Sequence, residues 1–277
     1  INFEDLELTL NKALKEIELL KLAVKTREQL NRIQQELNVA SEIQQSILPK
    51  NFNIFPKNSK LEIYARMIPA RDVGGDFYDF FLIDSRHLGF VIGDVSGKGM
   101  PAALFMAVSR TLLKAIALKG VSPDQCLKDV NLLLRQDNPK AMFVTLFYGI
   151  LNISTGEIHF CNGGHNPPIH LSEDGAVKYL DNIRNSALGI EENLDYHSDV
   201  FYLEPGSSLI LYTDGIPEAV DDNQNEFSKE RLVNYFRECA PLSSKNIIDG
   251  LVDTVKGFTA SDLQSDDITS LVIKLNR

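Results

Sequence analysis

Four acidic positions share one local grammar: an aspartate at the end of an apolar run, beside glycine in three cases. Asp76 lies in Val73-Gly-Gly-Asp-Phe-Tyr-Asp79, and Asp94 in Ile92-Gly-Asp-Val-Ser-Gly-Lys-Gly99. Asp214 ends Leu209-Ile-Leu-Tyr-Thr and precedes Gly215, and Asp266-Asp267 open the run Ile268–Leu275. A single Asp-Gly pair is usually a turn. Four such carboxylates at strand ends are a different matter. Glycine removes the side chain that blocks close approach, and carboxylates brought together repel unless a proton or cation relieves them. Oxygen donors of this kind suit a hard divalent cation, Mg2+ or Mn2+. No His-rich or Cys-rich cluster competes for zinc.

The elements that must position these residues are legible around them. Phe77–Ile83 and His87–Asp94 are apolar and aromatic-rich, and Asp84-Ser-Arg86 breaks them like a turn, so a hairpin is expected to bring Asp76 and Asp94 together. Pro101 suits the first turn of a helix running over Ala102–Leu118 and stopped by Gly120. Ser122-Pro123-Asp124 starts another, to about Arg135. Strands are predicted at Leu61–Ile68, Phe143–Ile153, Gly156–Cys161, Pro168–Leu171, Val177–Leu180, His197–Leu203, Ser208–Thr213 and Ile268–Leu275. Helices are predicted near Ser228–Cys239 and Ser243–Phe258. Many antiparallel strands with helices in two blocks indicate a layered α+β domain over residues 51–277.

Residues 3–48 contain neither Pro nor Gly. Leu6, Leu10, Ala13, Ile17, Leu20 and Val24 alternate at spacings of four and three. The alternation returns at Leu30, Ile33, Leu37, Ala40 and Ile47, shifted by one residue past Arg27. This predicts a long coiled-coil-like helix over residues 1–50, pairing with a second copy and ended by Pro49. The connector Asn51–Ser59, containing Pro56, leads into the globular part.

The formal charge is -10, and residues 1–50 hold eight acidic and seven basic side chains, so -9 falls on residues 51–277. That excludes nucleic acid or an anionic membrane as main partner, since both select a basic face. No run of 18 apolar residues and no signal peptide are visible. Cys126, Cys161 and Cys239 lack metal-ligand spacing and read as buried thiols of a reducing cytoplasm. A chain starting at Ile1 reads as a fragment of something longer.

Several phrases together carry a family resemblance. They are Glu42-Ile-Gln-Gln-Ser-Ile-Leu-Pro49, Pro69-Ala-Arg-Asp-Val-Gly-Gly-Asp-Phe-Tyr-Asp79, Gly93-Asp-Val-Ser-Gly-Lys-Gly-Met-Pro-Ala102, Gly163-Gly-His-Asn-Pro-Pro168, Tyr212-Thr-Asp-Gly215 and Asp266-Asp-Ile-Thr269. In this order they resemble the bacterial RsbU/SpoIIE-like branch of the PPM metal-dependent serine/threonine protein phosphatases. The resemblance implies two packed antiparallel β-sheets flanked by helices, with two divalent cations at one edge. It implies that Asp94 bridges both ions, that the Val95 carbonyl helps bind one, that Asp76 completes the second site, and that Asp214 and Asp266 complete the first. Asp267 can exchange roles with Asp266 on sequence alone.

Two ions sharing Asp94 would activate water and neutralise phosphoryl oxygens. Eukaryotic relatives carry a histidine where this chain has Ser96, so no general acid is assigned. Arg71 and Lys98 are candidate phosphate contacts, each balanced against a surface or turn role. His165 is expected to organise its turn rather than bind metal. The implied substrate is a phosphoserine or phosphothreonine on an anti-sigma-factor antagonist of the STAS type, under control of an upstream sensor. The competing reading is a non-catalytic signal-coupling module of the same fold. A P-loop reading of Gly93–Gly99 fails because three residues, not four, separate its glycines.

Overall fold

The computed structural model describes residues 3–55, 60–136, 138, 140–181, 185–259 and 264–277, without the side chains of residues 5 and 6. The side chain of Leu6 in the helical stripe, and Pro56 and Ser59 of the connector, therefore lie outside the described set. The chain divides into two compact units, Ile1–Gln45 and Ser46–Arg277.

The first unit belongs to α1, which spans Phe3–Ile47. Its stripe residues Leu10, Ile17, Leu20, Val24, Leu30 and Ile33 are all about half exposed or more within the single chain. Leu37 is half-buried. Leu8, Leu14, Leu19 and Leu22 are exposed off the stripe, so the apolar surface is broader than one coiled-coil seam.

Among its described residues the second unit has ten strands. These are β1 (Leu61–Ile68), β2 (Phe77–Leu82), β3 (His87–Val95), β4 (Val144–Asn152), β5 (Glu157–Gly163), β6 (Ile169–Leu171), β7 (Val177–Tyr179), β8 (Asp199–Tyr202), β9 (Ser208–Tyr212) and β10 (Ile268–Leu275). Two five-stranded sheets result, in the orders β1-β10-β9-β6-β7 and β2-β3-β4-β5-β8, with every described pairing between strands antiparallel. Among the described residues four helices flank them: α2 (Met100–Ala117), α3 (Pro123–Gln136), α4 (Ser228–Arg237) and α5 (Ser244–Thr259).

The period of two along the strands builds two cores. In β9, Leu209 and Leu211 enter the core between the sheets, while Ile210 and Tyr212 face the other core with α4 and α5. In β10, Leu271 and Ile273 face the first core and Val272 the second. Both strands are buried on both faces, which is why they read as unbroken apolar runs. On the opposite sheet, Met106 and Leu113 of α2 and Leu127 and Val130 of α3 close the outer layer. α2 is apolar enough by length and composition to cross a membrane, but Arg110 and Lys114 interrupt it, and seven of its residues are buried against the domain. It is a core helix.

Candidate metal centre

The hairpin register pairs Phe77 with Gly93, which sets Asp76 and Asp94 side by side at the end of β2 and β3. On the other sheet, Tyr212 of β9 pairs with Ser270 of β10. Continuing that register beyond the strands brings Asp214 and Gly215 to Asp266 and Asp267. Gly215 is needed here because a Cβ would lie 2.0 Å from the Asp267 carbonyl oxygen. All four predicted aspartates thus reach one edge of the sandwich.

The neighbouring aspartates of the pair take different positions. Asp267 is buried, and its carboxylate accepts backbone N–H bonds from Ala70 at 2.8 Å, Gly75 at 2.7 Å and Asp76 at 3.3 Å. It fixes the loop that carries Asp76, and a Cβ on Gly74 would lie 2.2 Å from it. Asp266 is 43% exposed and lines an open cavity of about 330 Å³ with Asp94 and Asp214. The ambiguity within this pair therefore resolves into an anchoring Asp267 and a cavity-facing Asp266.

Asp76 sits behind that cavity, 1% exposed, where the Thr213 hydroxyl donates to its carboxylate at 2.8 Å. Asp76 and Asp94 lie close enough that each perturbs the other's titration. Val95 lines the cavity, and its carbonyl oxygen would lie 2.9 Å from a Cβ on Gly75. The loop after β3 is held by Ser96: its N–H donates to the Phe143 carbonyl at 2.9 Å, and its hydroxyl accepts from the Phe143 N–H at 3.0 Å. Next along, Lys98 donates to the Ser265 carbonyl at 2.7 Å and pairs with Asp266 at 2.8 Å. Arg71 is exposed and does not line the cavity, so Lys98 alone of the two candidate phosphate contacts is at the site.

The electrostatics follow from this crowding. Burial, then the charges of Asp214 and Asp266, push the Asp94 carboxyl up to about 7. Burial, then Asp94 and Asp267, hold Asp76 well above the usual carboxylate range. Asp214 is raised by burial and by Asp266. His165, also at the cavity, is lowered to about 4 by burial and is neutral. Its main chain exchanges two hydrogen bonds with the Asn162 side chain, and its ring meets the Thr145 hydroxyl at 3.0 Å, so it does organise its turn. The buried thiols of Cys126 and Cys161 are pushed up to about 12, which removes them as nucleophiles.

Thr213, Thr145 and the anchoring bonds of Asp267 were not singled out by the sequence reading. A threonine beside a strand-end aspartate carries no periodic signal of its own. The donor set fits a hard divalent cation: all-oxygen, acidic, and short of positive charge. As the side chains stand, no three His, Cys, Asp or Glu groups among the described residues converge closely enough to hold an ion. Asp266 is engaged by Lys98 and Asp76 by Thr213.

Comparison with known proteins bears on the family and the fold. The family described as Stage II sporulation protein E (SpoIIE) matches residues 84–276. Protein IcfG of Synechocystis sp. is 31% identical over 92% of this chain, which spans 43% of that relative's length. Phosphoserine phosphatase RsbU of Bacillus subtilis is 28% identical over 91% of this chain and 75% of its own length. The SiaA-PP2C domain of Pseudomonas aeruginosa superposes with a TM-score of 0.78 at 22% identity, covering 89% of this chain and 98% of that domain. This chain belongs to the SpoIIE family, and its fold is the one seen in the PP2C phosphatase domains on which it superposes.

Proposed function

We propose that this domain hydrolyses phosphoserine or phosphothreonine on a protein substrate with the help of two divalent cations, Mn2+ or Mg2+. The observation that carries this is the gathering of Asp94, Asp214 and Asp266 at one cavity with Asp76 behind, a set of carboxylates under-supplied with positive charge. Asp94, Asp76, Asp214 and Asp266 would hold the ions, with the Val95 carbonyl beside them. Bound divalent ions supply Lewis acidity, which brings water near neutral pH within reach of ionisation and offsets phosphoryl charge. The chain's own residues do the positioning. Thr213 orients Asp76, Asp267 fixes its loop, and Ser96, through its hydrogen bonds with Phe143, holds the turn after Asp94. Lys98 stands where a phosphoryl oxygen can meet its ammonium group. No side chain is assigned as general acid.

Retention of all four carboxylates favours catalysis over a non-catalytic module. The name of RsbU supports a phosphoserine substrate, and within that branch a STAS-type anti-sigma-factor antagonist is the partner proposed. The exposed stripe of α1 supports pairing with a second copy, and a parallel arrangement, a cytoplasmic setting and control by an upstream sensor are proposed with it. Phosphate release from a phosphorylated antagonist should require Mn2+ or Mg2+ and stop with chelator; chelator-insensitive release contradicts the reading. Replacing Leu30, Ile33 and Leu37 together by Glu should give monomers by light scattering. A wild type already monomeric at micromolar concentration contradicts the dimer.

A further inference from the structure

We propose that Lys98 is a built-in counter-cation that competes with the divalent ion for Asp266, coupling metal entry to the loop between β3 and α2. This rests on the metal reading above and extends it to control of the site. Lys98 Nζ lies 2.8 Å from Asp266 Oδ2 and donates to the Ser265 carbonyl at 2.7 Å. Among the described residues lining the cavity, three are aspartates and Lys98 is the one Lys or Arg. An ammonium is a compact point charge with three donors, and here one carboxylate and one carbonyl engage two of them. A divalent ion taking the same Asp266 oxygen would sit against that ammonium as a like charge. One of the two must yield.

The contact also has a mechanical side. Lys98 precedes Gly99, whose carbonyl accepts the Ala103 N–H in the first turn of α2. Asp266 and Ser265 lie at the entrance to β10, on the other sheet. The Lys98 contact therefore ties the start of α2 to the opposite sheet, directly across the proposed metal site. When a cation displaces the ammonium from Asp266, that tie is released. The amine remains at the cavity, free for a phosphoryl anion.

A lysine that merely orients Asp266 for the metal makes the opposite prediction, and this separates the two roles. Mn2+ should be titrated calorimetrically into wild type, Lys98→Met and Lys98→Arg, and thermal midpoints read with and without Mn2+. Competition predicts that Lys98→Met binds Mn2+ about three- to tenfold more tightly, since a half-exposed ion pair and one like charge are removed. Without metal, its midpoint falls below wild type, and saturating Mn2+ closes the gap. Lys98→Arg stays within about twofold of wild type, because the competing charge is kept. An unchanged or weaker Mn2+ affinity in Lys98→Met, with its fold verified by circular dichroism, overturns the competition. A wild type that binds no Mn2+ overturns the metal reading as well, and is recognisable without any variant.

Discussion

Two carboxylates three residues apart, one inside β2 and one just before it, meet opposite fates. Asp79 is wholly buried in β2, yet α2 delivers Arg110 to it at 2.7 Å and Lys114 at 3.3 Å. Asp76, just before the strand, is as deeply buried, but its neighbours are Asp94, Asp267 and the Thr213 hydroxyl. Burial raises both groups, and the basic partners offset part of the rise only at Asp79. A buried charge is tolerated when paired and is costly when unpaired. The protein thus compensates Asp79 internally and leaves the Asp76–Asp94 corner to a proton or to an incoming cation. The first is a structural tie between β2 and α2. The second has the perturbed titration expected of a functional site.

The comparison is sharpened most by Asp94→Asn. Turnover should fall more than about 100-fold, in the range seen when an essential electrostatic group is lost, while metal-free thermal stability rises because mutual repulsion is removed. Activity within tenfold of wild type at saturating metal would break the assignment. Asp214→Asn and Asp266→Asn should lose activity in the same assay while remaining folded.

Asp79→Asn should do the reverse. Removing one partner of a buried ion pair strands Arg110, whose side chain is 15% exposed, and should cost about 3 kcal/mol in denaturant unfolding. The protein that remains folded should keep much of its activity. A variant with full stability and no activity would erase the distinction between the two aspartates.

A smaller effect lies in the pH dependence without metal. Asp94 keeps its proton in the folded chain up to about pH 7, whereas unfolded it ionises near about 4. The stability this contributes is full below the unfolded value and is lost as pH rises through the folded one. The metal-free thermal midpoint should therefore decline from about pH 4 to above pH 7, and saturating Mn2+ should flatten that slope. A midpoint that instead rises over this window would place the protonation elsewhere.

Much of this fold was legible because its signals are local. The hairpin, the helix opened by Pro101, and the buried runs of β9 and β10 follow from turn chemistry, proline placement and apolar runs. Element ends moved by one or two residues, as at β8, where His197–Leu203 narrows to Asp199–Tyr202. The four cavity-edge aspartates could be read because each ends or begins an apolar run, and the motifs fixed their likeness. Asp267 could not be told from Asp266, since the difference arises from three backbone N–H groups of the loop at 70–76, nearly two hundred residues earlier. Arg71 and Lys98 looked equivalent as sequence. Only the path of the two loops brings one to the cavity and leaves the other exposed. The Arg110–Asp79 tie was likewise invisible, because it joins a strand to a helix face across 31 residues of chain.

The central claim is that the uncompensated carboxylates form a divalent-cation site centred on Asp94. A crystal soaked in Mn2+ and measured at the manganese absorption edge tests it directly. Two anomalous peaks should flank the Asp94 carboxylate, one toward Asp76 and the other toward Asp214 and Asp266, and both should vanish in Asp94→Asn. Full occupancy elsewhere on the molecule with no peak beside Asp94 would contradict it.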